Sequence, residues 1–223
     1  AERIAAWEEA LPAHIKLAYL PNPMAVRLRL SAIGDRVQVL KTDVEKEIEK
    51  LKTIIPEAIF GYDTETMSEV IGRELVKQNK KLAVAESCTG GYISHLITSV
   101  SGSSAYYNGS VTSYSNEIKE KLLGVSRENL EKYGAVSEQV AREMVEGVKR
   151  VMKADYAVAT TGIAGPTGGT EEKPVGTVWI AVSGPEKTLV KRYTFIGDQR
   201  DRNIVRSGQT ALQLLRRMVL GEL

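Results

Sequence analysis

Residues 82–92 read LAVAESCTGGY. Leu82–Ala85 is an apolar run of strand length, and ISHLITSV at 93–100 has the texture of a helix. Between them lies a corner of small and polar residues, Glu86–Gly91. Strand, corner and helix in succession are the building unit of a layered α/β sheet. In such sheets the loops at strand carboxyl ends make the natural crevice. A helix start also aims N–H groups and a positive dipole end at whatever sits there. Ser87 therefore has two readings: an ordinary helix cap, or a group that meets an oxyanion, a phosphate or an acyl carbon. Gly90 and Gly91 permit close approach in either case.

Working outward, the alternation continues. Glu65–Gln78 predicts a helix before the corner. GSVTSY (109–114) predicts a strand and Asn116–Leu123 a helix. Ser137–Met152 predicts a long helix capped by Ser137, with Val140, Met144, Val148 and Val151 on one face. YAVATTG (156–162) predicts a strand running into a glycine-rich loop. GTVWIAVSG (176–184) and LVKRYTF (189–195) predict paired strands, and Arg202–Val219 a closing helix. The fold class expected is α/β, a layered α/β/α domain over residues 63–223.

Residues 1–62 have a different, charge-rich texture and predict a small α+β module. Glu2–Ala10 is helical in pattern. KLAYL (16–20) and VRLRL (26–30) read as two strands joined by a turn at Pro21–Pro23. DVEKEIEKLKTII (43–55) puts Val44, Ile48, Leu51 and Ile55 at helical spacing with its charges on the other faces. Ile59–Tyr62 predicts a last short strand.

Composition narrows the function classes. The chain has 223 residues, 43% hydrophobic and 26% charged, with a formal net charge of +2. That is a globular balance with no electrostatic bias toward nucleic acid or membrane. A single cysteine, Cys88, leaves no intrachain disulfide framework and no cysteine-based zinc site, which fits a reducing compartment. No apolar run approaches a membrane span. The first residues are charged, lack an initiating Met and begin inside a helical pattern, so a piece of a longer protein is expected.

A serine nucleophile needs a base. Of the two histidines, His14 lies in the first module and His95 about two turns beyond Ser87. A lysine can serve if it is desolvated enough to be neutral. Lys119, in SYSNEIK (113–119), is a candidate, with Tyr114 beside it; a solvated helix lysine and a packing tyrosine are the alternatives. The loop TTGIAGPTGGTEEKPVGTVW (160–179) suits a small anionic or polar ligand, yet it has neither Walker A nor G-x-G-x-x-G spacing. In GDQRDRNIVR (197–206), Arg202 and Arg206 share one helical face and can meet a phosphate or carboxylate, or pair with Asp198 and Asp201.

Taken together, AESCTGG, GSSAYYNGSVTSYSNEIKEKLLGV, YGAVSEQVA and TTGIAGPTGGTEEKPVGTVW resemble the signature run of the CinA C-terminal domain. The resemblance covers residues 65–220. It implies a nicotinamide-nucleotide amidase, which hydrolyses nicotinamide mononucleotide to nicotinate mononucleotide and ammonia without metal or cofactor. Residues 1–62 resemble the KH-like middle module of longer CinA proteins, with a preceding pyrophosphatase-type domain missing. The resemblance gives Ser87 as nucleophile, Lys119 as base and Tyr114 as its partner. It places Gly102, Ser103, Ser104, Thr161, Gly162 and Arg202 at the substrate, with donors near Ser103 and Ser104 or at the Ser87 corner meeting the oxyanion. Arg200 competes with Arg202, because the arginine motif here carries extra residues. Cys88 is an alternative nucleophile, although it is expected to point away. The resemblance also implies a cytoplasmic homodimer or higher assembly acting on a small molecule. The alternative function is a nucleotide-binding regulatory module without turnover. Nucleic acid is not expected as a partner, because residues 1–60 contain one glycine, Gly34, and so no G-x-x-G loop.

Overall fold

The computed structural model describes residues 2–21 and 25–223. The chain divides into two compact units, Ala1–Tyr62 and Asp63–Leu223.

In the first unit a single 3-10 turn, Glu2–Ile4, runs into α1 (Ala5–Glu9). Strands β1 (Ile15–Pro21) and β2 (Val26–Ala32) pair antiparallel, with Leu17 opposite Leu30. Helix α2 (Val37–Ile54) begins earlier than its apolar pattern suggested. Ile4, Trp7 and Leu51 form the buried centre, with Leu17, Leu28 and Leu30 packed against it. Not all charges of α2 face outward. Glu47 is buried and accepts a hydrogen bond from Trp7 Nε1 at 3.1 Å. Ile59–Tyr62 forms no strand. Ile59 instead lays its side chain on the hydrophobic cluster, which satisfies its apolar character without a ladder. Asn22 and Pro23 of the expected turn lie outside the described residues.

The second unit opens with α3 (Met67–Lys77). Thr66 and Glu69 cap it reciprocally, each side chain meeting the other's backbone N–H. Then follow β3 (Leu82–Glu86), α4 (Tyr92–Thr98), β4 (Tyr107–Thr112), α5 (Asn116–Leu123), α6 (Arg127–Tyr133) and α7 (Glu138–Val151). The chain closes with β5 (Tyr156–Gly162), β6 (Thr177–Ser183), β7 (Thr188–Thr194) and α8 (Arg200–Val219). The sheet order is β4-β3-β5-β6-β7. The first three strands are parallel, and β6 and β7 run antiparallel.

The alternation within LAVA sets the layers. Leu82 and Val84 face a core built with α3, α4 and α8, including Ile71, Leu75, Ile93, Leu212 and Leu215. Ala83 and Ala85 face the other way, onto Val140, Met144 and Val148 of α7 and Leu123 of α5. Both faces of β3 are fully buried, as expected of a strand covered on two sides. The alanine face keeps α7 close to the sheet. One helix over, a Cβ at Gly147 would meet the Leu123 carbonyl oxygen at 2.0 Å, so α5 and α7 touch backbone to backbone.

Three expectations shift. Val151 is 48% exposed at the end of α7, and Ala141 and Val145 fill the buried face instead. Strand β4 ends at Thr112, which leaves Ser113 and Tyr114 in the connection to α5. Helix α6 was not anticipated, although Ser126 caps it and Gly134 ends it in the usual way.

Candidate active site

The corner after β3, the connection after β4 and the loop after β5 all leave the carboxyl edge of the three parallel strands. Ser87 is the first residue beyond β3. Its N–H donates to Thr160 O at 2.9 Å, and Thr89 Oγ1 lies 2.7 Å from Thr160 Oγ1. The corner is thus seated on β5.

Ser87 does not cap the helix. The residue before α4 is Gly91, with a φ of 103° and no side-chain cap. Glu86 does this work from within the strand: its carboxylate accepts from the N–H groups of Gly91, Ile93 and Ser94 and from Ser94 Oγ. The helix start is therefore occupied by the protein's own carboxylate and is not open to a phosphate.

Lys119 approaches Ser87 from α5. Ser115 caps that helix, and the lysine lies one turn in, 1% exposed. Its Nζ donates to Ser113 O at 2.6 Å and stands 3.2 Å from Ser87 Oγ. Burial pushes the Lys119 pKa down from its ordinary value of 10.5. The solvated-lysine reading fails. Cys88 behaves oppositely: it packs into the core, and burial lifts its thiol to about 12, which holds it protonated.

Tyr114 is 62% exposed, and its Oη accepts from Arg200 Nη2 at 2.8 Å. Arg200 Nη1 also donates to Gly165 O at 2.9 Å. The guanidinium thus bridges α8, the loop after β5 and the connection after β4. Arg202 is not brought into that contact; it lines a shallow recess with Gln199, Asn203 and Arg206. Arg206 donates to Ile196 O, and among the described residues neither arginine forms an ion pair with Asp198 or Asp201.

Thr161 is buried and spends its hydroxyl on Ala135 O at 2.7 Å, tying β5 to the turn before α7. Gly162 is explained by packing, since a Cβ there would meet Thr177 O and Val178 Cγ2, each at 2.7 Å. The structure does not bring Gly102, Ser103 and Ser104 to Ser87. Ser103–Ala105 is a 3-10 turn just before β4. Leu82 pairs with Tyr107 and Glu86 with Thr112, so that turn sits at the amino edge of the sheet. A strand of this length separates it from Ser87 by about 16 Å, at about 3.3 Å per residue. The corner offers backbone donors of its own. There, among the described residues, the N–H groups of Cys88 and Thr89 meet no oxygen acceptor.

Sequence reasoning missed Ser113, Glu86 and Thr160. The last two had a legible signal: a charged residue ending an apolar strand, and a hydroxyl inside one. Ser113 acts through its carbonyl, which no residue type announces. Among the described residues no cluster of His, Cys, Asp or Glu is arranged to hold a metal ion. No helix among them is long and apolar enough to cross a membrane.

The family model described as "CinA C-terminal domain" matches residues 64–219. The chain belongs to the CinA family. A CinA-like protein of Cytophaga hutchinsonii is 45% identical over 219 residues, 98% of this chain and 52% of the relative. A CinA-like protein of Chlorobium limicola is 46% identical over 184 residues, 82% of this chain and 43% of the relative. The chain spans about half the length of these curated CinA relatives. Among solved structures, the competence/damage inducible protein CihA of Agrobacterium tumefaciens is 35% identical with a TM-score of 0.63, covering 70% of this chain and 97% of that one. A CinA superfamily protein of Escherichia coli is 32% identical with a TM-score of 0.64, covering 73% and 97%.

Proposed function

We propose that residues 63–223 form an amidohydrolase that converts nicotinamide mononucleotide to nicotinate mononucleotide and ammonia. The observation that carries this reading is the buried, pKa-depressed Lys119 with Nζ 3.2 Å from Ser87 Oγ. A neutral amine has two N–H donors and one lone pair. One donor is committed to Ser113 O, which leaves the lone pair free to take the Ser87 proton.

The substrate's pyridinium ring withdraws electrons from its carboxamide carbon. Ser87 Oγ bonds to that carbon while its proton passes to Lys119. The oxyanion is met by the N–H groups of Cys88 and Thr89, where preformed donors are each worth about 10²–10³ in rate. The C–N bond then breaks and Lys119 returns its proton to the departing ammonia. Water attacks the acyl-serine and gives a proton to Lys119; the C–Oγ bond then breaks, Lys119 returns that proton to Ser87 Oγ, and the product acid loses its proton to solvent and leaves as the carboxylate. Arg200, at the rim of the corner, is the group we assign to the substrate phosphate; it takes the place expected for Arg202. Tyr114 holds Arg200 rather than Lys119. Thr161 acts at one remove, through the Ala135 turn.

The test is ammonia and nicotinate mononucleotide formation by the parent, Ser87→Ala and Lys119→Met. Turnover in the parent and its loss in both variants supports the amidase. Binding without turnover in the parent would instead favour a nucleotide-binding module.

A further inference from the structure

We infer that Glu86 is a positioning residue for Ser87, holding the nucleophile at its reach from Lys119. The inference rests on the amidase reading and adds a group that the reaction scheme does not use.

Glu86 belongs to β3 by its backbone and to α4 by its side chain. Its carbonyl accepts from Ser113 N–H at 2.8 Å, which fixes the residue whose own carbonyl holds Lys119. Its carboxylate, fully buried, takes four donors. Oε2 accepts from Gly91 and Ile93 N–H, each at 3.1 Å, and Oε1 from Ser94 N–H at 2.9 Å and Ser94 Oγ at 2.7 Å. Tyr107 Oη on β4 donates to Ser94 Oγ at 3.0 Å, which secures the far side. The five-residue corner 87–91 is therefore closed by the side chain of the residue immediately before it. One residue is hydrogen-bonded to both the nucleophile's loop and the base's holder. A buried carboxylate with four donors is costly to disturb, because each donor left unmet loses its partner in a dry environment.

A helix cap alone would predict lost stability and normal chemistry in whatever protein stays folded. Positioning predicts lower kcat at unchanged KM, since substrate binding does not touch Glu86. A displacement of about 1 Å at a reacting group can cost about 10²-fold. Glu86→Gln puts an amide NH2 against N–H donors and is expected to lower kcat by about that factor. Ser94→Ala removes one donor and is expected to lower it several-fold.

The experiment pairs kcat and KM with the rate at which a fluorophosphonate labels Ser87. In that reaction Ser87 Oγ bonds to phosphorus, fluoride leaves and Lys119 takes the proton. Circular dichroism confirms folding. Reduced labelling and kcat with KM and the pH inflection unmoved support the inference. Folded Glu86→Gln with parental kcat and labelling overturns it. Where Glu86→Gln does not fold, Ser94→Ala and Tyr107→Phe carry the same test, and parental values in both overturn it. A parent that does not label, or Ser87→Ala that still does, removes the nucleophile reading itself and this inference with it.

Discussion

The Lys119 amine donates to the Ser113 carbonyl at 2.6 Å, and this contact orients the amine toward Ser87. An amine held by a backbone carbonyl keeps that contact when its holder's side chain is substituted, so the lysine is the position at which to test the proposed base. Lys119→Met keeps much of the buried stem and removes the proton acceptor. Its kcat should fall by about 10²–10⁴-fold with KM little changed, the range for losing a general base. Steady-state ammonia release gives the answer, and near-parental kcat would exclude Lys119 as base.

The same burial sets a pH dependence. The proposed amidase requires neutral Lys119, so its kcat should rise with pH through an inflection below 10.5, the ordinary lysine value. Stability is linked with the same sign. The folded state binds this proton less readily than the unfolded chain does. Stability therefore increases as pH rises from the depressed folded value toward 10.5 and is lost as pH falls through it. Denaturant titrations of parent and Lys119→Met check this: the parent should show a rise that the variant lacks.

Cys88 should be inert in the native protein. Iodoacetamide at pH 8 should leave it unmodified, and Cys88→Ala should retain turnover. Mass spectrometry of native against unfolded protein reads the difference, and rapid native labelling would mean an accessible thiol. Because its pKa is raised from 9.0 to about 12, its contribution to stability is present below the unfolded value and is lost as pH climbs between the two.

Arg200→Met should raise KM for nicotinamide mononucleotide by about 10–100-fold, the loss of a hydrogen bond to a charged group. Nicotinamide riboside, which has no phosphate, should be affected far less. Arg202→Met should have the smaller effect on the mononucleotide. The reverse ranking would return the phosphate to the recess beside Arg206.

The layered sheet was legible because LAVA encodes two buried faces in four residues, and the strands and helices around it repeat that logic. Asn116–Leu123 and Tyr156–Gly162 form the elements that their patterns predict. Residue chemistry nominated Ser87 and Lys119 separately, and only the family resemblance joined them, because residues 32 positions apart meet only once β3 and β4 lie parallel. The same register separates Ser103 and Ser104 from Ser87, although they are nearer in sequence. The strand-like look of Ile59–Tyr62 reflected its apolar residues, of which Ile59 packs on the cluster while Tyr62 is exposed; a ladder partner is a property of the fold and not of the segment.

Gly147 lies on neither the strand edge nor the corner, yet it bears on the distance between Lys119 and Ser87. Its missing side chain lets α7 meet the carbonyl at the end of α5, and α5 carries Lys119. A single added methyl would have to shift that helix, and the amine with it, while leaving every residue around Ser87 chemically intact. The reach of the pair therefore depends on a helix contact remote from it.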